Sequence, residues 1–377
     1  MRLAFVSLGS PATRAAWSGI PFYALREIRR RFPDTHVIDT ARLDEAVRKW
    51  SALSRVGLFP AREPLVVAAY TAHLNRRLAE IAPDAVVSIG AAHKVAAIDR
   101  EWPVVYMTDA LFSTITRYYP KYAALNARTL RLGDRLQQQL ITRSHAVVLA
   151  SEWAASSARD ASVVPDGRLH VVPMGANLDE DPGFSVPPDD GTLRLLFVGY
   201  DWHRKGGPIV LDAFRRLAAQ GVQVELHIAG CRPKEAEGIA GVVVHGALQK
   251  WVPEESALLT RLFRGCSFFF MPSRWETFGL VYCEAAAFGR PVVATRTGGV
   301  SAPVEDGATG LLLPTEAGGA DYAEAILEVW RNPERYRRMC AAARAAYETR
   351  LNWGAWGASL QGLLLEIDGA RAVCAAR

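Results

Sequence analysis

Short apolar runs alternate with helical patterns along most of the chain, and glycine- and proline-rich turns separate them. In the first half the runs are residues 2–7 (RLAFVS), 36–39, 84–89 (DAVVSI), 103–107, 146–150 (AVVLA) and 169–172. Each is short and mostly β-branched or aromatic, which predicts buried strands. Between them lie helical patterns at residues 21–31, with Pro21 suited to a first turn, through much of 41–82, at 125–142, and after Ser151-Glu152-Trp153. Residues 179–191 (DEDPGFSVPPDDG) break the pattern, being acidic, Pro/Gly-rich and without a period. That composition predicts a linker. The alternation then restarts, with strands at 193–198, 224–228, 242–244, 268–271 and 292–295. Its helices fall at 208–219, 253–264 and 280–288, as two within 321–348, and last at 353–367. Strand–helix alternation implies parallel sheets with helices on both faces. The expected fold class is α/β, with two Rossmann-like domains facing each other across a cleft. The expected domains are residues 1–178, a linker at 179–192, a second domain at 193–352, and a terminal helix in 353–377 that crosses back to the first.

Composition fits that division. The 377 residues are 50% hydrophobic and 22% charged, enough for two domains that each bury a core. No run nears 18 apolar residues, so no membrane-spanning helix is expected. The first residues enter a strand directly, without the length or cleavage site of a signal peptide. Five cysteines form no CxxC pair, which predicts free thiols in a reducing compartment. The expected location is therefore cytoplasmic. A net charge of +5 is modest, and no zinc-finger spacing or aromatic–basic sheet motif points to nucleic acid. Arg26, Arg29, Arg30 and Arg31 crowd one helix. They read as a solvated face or as a patch for anionic lipid headgroups, which would place the protein peripherally on the inner face of a membrane.

Chemistry concentrates in residues 268–313. A strand leads into a loop with Glu276, then a helix with Glu284, then another strand. Thr277 is placed to cap the helix, and the N–H groups near Phe278, Gly279 and Leu280 are placed to hold a phosphate. Gly279 allows close approach to the backbone. Glu284, about one turn further in, can accept from a diol such as ribose, while Glu276 can contact whatever the phosphate carries. From spacing alone, a solvated Glu276 and an arginine-paired Glu284 fit equally well. A second anion-binding loop holds Arg204 and Lys205 before Gly206-Gly207. A diphosphate between the two loops would be stabilised as a leaving group. In the first half, the strand-end rule for parallel sheets selects the loops with Gly19, His93, Asp109 and Glu152. Asp179-Glu180-Asp181 matches an Asp-x-Asp metal pattern but sits in the expected linker, so no metal is expected.

These residues together resemble the retaining glycosyltransferases of the GT-B fold, in the large family 4 group, over nearly the whole chain. Gly199, Lys205 and Gly206 match that family's Gly-x5-Lys-Gly diphosphate loop. Glu276 and Glu284 match its Glu-x7-Glu motif, and Phe278-Gly279 its Phe-Gly. Pro173, Gly175 and Asn177, Thr297-Gly298-Gly299, and Asp306-Gly307 with Gly310 match further signatures, and the Gly19 region matches the glycine-rich loop after the first strand. Two positions depart. Tyr200 stands where members often carry an arginine, and Asp109 where many carry a histidine, with His93 the alternative for that role.

The resemblance implies transfer of a sugar from a nucleoside-diphosphate sugar to an acceptor hydroxyl on a glycan, glycolipid or small molecule. It implies retention of anomeric configuration and no metal or other cofactor. The implied donor site is Gly19, Arg204, Lys205, Glu276, Thr277, Phe278, Gly279, Leu280 and Glu284, with Asp109, Glu276 and Lys205 at the reacting centre. Backbone groups near Cys231 and Gly246 would choose the base. A nucleotide-sugar epimerase of the same fold and a non-catalytic sugar-nucleotide-binding protein are the alternatives.

Overall fold

The computed structural model describes residues 1–50, 52–53, 57–161, 167–186 and 190–375, without the side chains of 161 and 370–375. Residues 51 and 54–56 of the helical stretch, 187–189 of the expected linker and 376–377 of the terminal segment lie outside the described residues. The chain divides into two units, Met1–Pro173 with Trp353–Arg377, and Met174–Asn352.

The first unit is built on a six-stranded parallel sheet. Its strands are β1 (Leu3–Ser7), β2 (Thr35–Val37), β3 (Ala85–Ile89), β4 (Val104–Thr108), β5 (Ala146–Leu149) and β6 (Leu169–Val171). Their order is β2-β1-β3-β4-β5-β6. β1, β3, β4 and β5 are buried at every position, which is why they read as unbroken apolar runs. The chain lays β2 on one side of β1 and everything later on the other. The order therefore reverses between β1 and β3, where open α/β sheets form their ligand crevice.

The terminal helix Trp353–Ala375 packs on the helix Ile20–Arg31 of this unit. Arg31 donates to the Gly354 carbonyl at 2.8 Å and to Gln361 Oε1 at 2.7 Å. Arg30 and Arg31 also donate to the buried Glu27, at 2.8 Å and 2.6 Å. Burial pushes the Glu27 carboxyl up, but these hydrogen bonds outweigh it and hold it below its ordinary value. Two of the four arginines of the basic helix thus serve its own packing, and Arg26 lies over the Tyr23 ring at 4.8 Å.

The second unit repeats the plan with β7 (Leu193–Val198), β8 (Val224–Ala229), β9 (Val242–Gly246), β10 (Phe268–Phe270), β11 (Val292–Thr295) and β12 (Gly310–Leu313). The order β12-β11-β10-β7-β8-β9 is again parallel throughout and reverses between β7 and β10. β10 shows the two-residue period of a strand covered on both faces. Phe269 meets Phe263 and Tyr282 at 5.8 and 5.9 Å, whereas Phe268 and Phe270 meet Tyr336 and Tyr322 at 5.2 and 5.3 Å. β12 was not expected from the sequence.

The units divide at Pro173/Met174, upstream of residues 179–192. The described part of that segment is fastened to the second unit. Asp181 accepts from both terminal nitrogens of Arg344 at 2.7 Å, and the fully buried Arg290 donates to Ser185 Oγ at 2.6 Å. The last carboxylate of the Asp-x-Asp pattern is thereby committed to an arginine. Cys231, Cys266, Cys283 and Cys340 are free thiols. Among the described residues, no helix is long and apolar enough to cross a membrane.

Candidate functional site

In the second unit the loops leaving β7 and β10 lie side by side at the sheet's reversal point. The Arg274 N–H donates to the Arg204 carbonyl at 2.8 Å. Gly206 adopts φ +79°, and a Cβ there would stand 2.0 Å from the Pro272 carbonyl oxygen. Only glycine lets the two loops approach this closely.

Their side chains converge. Lys205 Nζ donates to the Glu276 carboxylate, and both side chains are largely buried. Arg204 Nη1 lies 4.0 Å from the same oxygen and donates to the Trp275 carbonyl at 3.1 Å. Arg204 Nε lies 3.4 Å from Asp201. The Glu276 carbonyl accepts from the Gly299 N–H at 3.1 Å, so the Thr297-Gly298-Gly299 turn braces the residue from behind.

Glu284 sits on the helix Leu280–Ala287 and is buried. Its carboxylate accepts from Lys250 Nζ, which also lies 3.5 Å from the Asn177 carbonyl. Its partner is thus a lysine, not the arginine of the alternative reading. Lys250 was missed in the sequence, although the strand-end rule points to the loop after β9. The expectation that Thr277 caps the helix is also corrected. Gly279 is the N-cap, with φ +88° and no side-chain capping bond, and a Cβ there would meet the Tyr282 ring at 2.3 Å. The left-handed backbone makes the turn, leaving Thr277 and Phe278 buried and Leu280 as the first helical residue. Tyr282 OH donates to the Met271 carbonyl at 2.9 Å, tying the helix to the end of β10. Tyr200, at the departed position, is 71% exposed.

In the first unit, Gly19 caps the helix Ile20–Arg31 at φ +88°, directly after Trp17 and Ser18 at φ +42° and +55°. Two non-glycine residues in the left-handed region mark a strained turn at the end of the β1 loop. Asp109 follows β4, where Oδ1 accepts from the Ala110 N–H at 2.8 Å and from Thr108 Oγ1 at 3.3 Å. Glu152 pairs with Arg159 at the surface, at 3.2 Å.

His93, read as a loop residue, lies in the short helix Ala92–Val95 and is buried edge-on against the Tyr70 ring at 5.3 Å. Burial drives its pKa well below the ordinary value, helped by the charges of Arg62 and Lys94. The next residue, Lys94, is fully buried and donates to the Ser7 carbonyl at 2.9 Å and to Thr40 Oγ1 and Asp44 Oδ2, both at 2.8 Å. It pins the carboxyl end of β1.

Arg62 carries no sequence motif. It ends the turn Pro60–Arg62, with its guanidinium 4.9 Å from the Phe112 ring centre and 5.7 Å from that of Phe59. Its Nε is sealed from solvent without an acceptor. Among the described residues no carboxylate pairs with it, and the adjacent Glu63 pairs with Arg128. Burial lowers its pKa against the opposing pull of Tyr106 and Tyr122. Cation–π contacts contribute about 0.5–2 kcal/mol each. Desolvating an ion costs several kcal/mol. Arg62 as a whole is only partly buried, so the two rings and solvent share its charge.

Residues 192–332 match the family described as "Glycosyl transferases group 1". A D-inositol 3-phosphate glycosyltransferase from Geodermatophilus obscurus is 30% identical over 260 residues, which are 61% of this chain and 56% of that protein. The match thus spans little more than half of the curated relative. Among solved structures, a sucrose-phosphate synthase from Thermosynechococcus elongatus aligns with a TM-score of 0.69 and 18% identity, covering 98% of this chain and 100% of that one. The Anabaena protein HepE, solved with UDP and glucose, aligns at 0.65 and 17%, covering 97% and 100%. At such identity the likeness establishes the fold, which is GT-B.

Proposed function

We propose, for a chain whose residues 192–332 belong with the glycosyl transferases group 1, that it moves a sugar from a nucleoside-diphosphate sugar to an acceptor hydroxyl with retention of configuration. One observation carries the reading. Lys205 with Glu276 and Lys250 with Glu284 form two lysine–carboxylate pairs, set on loops at the carboxyl ends of β7, β9 and β10 and on the helix that follows β10.

In this reading the diphosphate takes Lys205 and Arg204 as its cations, together with the first-turn N–H groups of the helix Leu280–Ala287. Glu284 accepts from the ribose hydroxyls and Glu276 from the sugar. Negative charge grows on the diphosphate as the glycosidic C–O bond breaks, so fixed cations there stabilise the transition state more than the ground state. The acceptor oxygen attacks on the face the diphosphate leaves, and its proton passes to a donor phosphate oxygen. Arg204, Lys205 and Lys250 meet the charge without a metal. The first-unit loops with Gly19 and Asp109 serve the acceptor. The bond from the Ala110 N–H orients Asp109, and a carboxylate is an acceptor for a sugar hydroxyl.

The test is calorimetric titration with UDP, GDP and ADP, followed by transfer assays with the sugar of the base that binds and NMR of the product's anomeric configuration. An absence of binding at millimolar nucleotide would sink the reading. A new sugar isomer from donor alone would favour the epimerase. Tight donor binding without turnover across sugars, sugar phosphates and lipid-linked acceptors would favour the binding protein.

A further inference from the structure

We propose that Arg62 anchors an oxyanion pocket in the first unit, where it holds the phosphate or carboxylate group of a negatively charged acceptor. The proposal rests on the transfer reading only in naming that ligand the acceptor.

Position supports it first. His93 and Phe112 follow the carboxyl ends of β3 and β4, and Tyr106 lies within β4. Arg62 acts electrostatically on His93 and Tyr106 and sits over Phe112, so it lies above the strand ends where parallel sheets bind ligands. Its surroundings come second. Phe59 and Phe112 fix the guanidinium without using its donors, and the sealed Nε finds no acceptor in the protein. The carboxylate next to it in sequence, Glu63, is engaged by Arg128. Geometry comes third. A guanidinium presents paired N–H donors that match two oxygens of a phosphate or carboxylate, and partial burial strengthens such a pair.

The experiment titrates the full chain with inorganic phosphate, a hexose 6-phosphate, the unphosphorylated hexose and the matching uronic acid, with UDP in parallel. Arg62→Met keeps the packed stem and removes the charge. Arg62→Lys keeps the charge and removes the planar fork. The wild type is expected to bind the hexose phosphate or the uronic acid and to ignore the neutral hexose, and the stronger of the two identifies the group. Arg62→Met should weaken that ligand at least tenfold and Arg62→Lys by less, with nucleotide affinity unchanged in both. If the methionine variant does not fold, the loss in Arg62→Lys decides. Unchanged anion affinity in either folded variant overturns the proposal. So does an anion site lost in Lys205→Met instead, since that binding belongs to the second unit. Anion binding that needs Arg62 in a chain that binds no nucleotide would retain the pocket and remove the transfer reading.

Discussion

Lys205 donates a hydrogen bond to Glu276 across the seam between the loops leaving β7 and β10. The pair joins the two strands at which the second sheet reverses its order. In the proposed reading, a diphosphate arriving there would compete with Glu276 for the lysine. Lys205→Met should therefore weaken nucleoside-diphosphate binding roughly tenfold to a hundredfold, the worth of a charge-assisted hydrogen bond. Glu276→Gln should bind the free nucleotide as tightly as wild type or tighter, yet transfer sugar far more slowly. Calorimetry and initial rates separate the two. Equal losses of binding in both variants would contradict the assignment.

Lys250 and Glu284 form the second pair, with Glu284 almost fully buried. Removing the lysine leaves a carboxylate without its cation. Lys250→Met should cost about 1–3 kcal/mol of stability, and adding Glu284→Gln should recover most of it. Urea unfolding of the two single variants and the double variant measures the coupling. Strict additivity would show that the two side chains do not interact in solution.

Gly206→Ala tests the contact between the loops. The new methyl would lie 2.0 Å from the Pro272 carbonyl oxygen on a backbone at φ +79°. The expected result is a loss of about 1–3 kcal/mol and a fall in nucleotide affinity, as the loops carrying Lys205 and Glu276 separate. A thermal shift and a UDP titration suffice. Wild-type values in both would mean the loops tolerate the gap.

Acid should weaken the fold before its carboxylates protonate. Burial lowers the pKa of His93, His227 and His245 from an ordinary 6.5. Below about 6.5 the unfolded chain takes up protons that the folded chain refuses, so stability falls as pH drops and recovers as it rises. The urea midpoint should decline from pH 7 to pH 5. His93→Phe, which keeps a ring against Tyr70, should flatten that decline. An unchanged slope would clear His93 of the effect.

The parts of the molecule legible in the sequence share one property: their signal is local. β7 and β11 match the expected runs at 193–198 and 292–295, because a strand covered on both faces is apolar at most positions, Arg194 and Thr295 being the exceptions. β12 escaped because its GLLL follows the Asp306-Gly307 turn, whose residues drew the reading toward a loop motif. Glu276, Glu284 and Lys205 stood out by spacing, and the fold brings Lys205 to Glu276 across 71 residues of sequence. Lys250 and Arg62 did not stand out. Neither matches a motif spacing, and Glu284 and Phe112, which give Lys250 and Arg62 their meaning, lie far from them in sequence. The Thr277 cap failed for a related reason. A polar side chain before a helix advertises a cap, whereas a glycine's left-handed backbone leaves no such mark unless the turn itself is known.

The second unit is one unbroken stretch of chain, and its ends meet, with the Ala176 N–H donating to the Leu351 carbonyl at 2.9 Å. The first unit is interrupted and closes only through the helix Trp353–Ala375. Topologically, the second unit is an insert spliced into its host. Two cuts, near residues 174 and 352, would lift it out whole or exchange it for a relative's. A fragment ending before the last helix would instead leave the host half without the partner of its own Ile20–Arg31 helix. Recombination between such proteins can therefore trade second units at two junctions, while the host half must be inherited in both of its pieces.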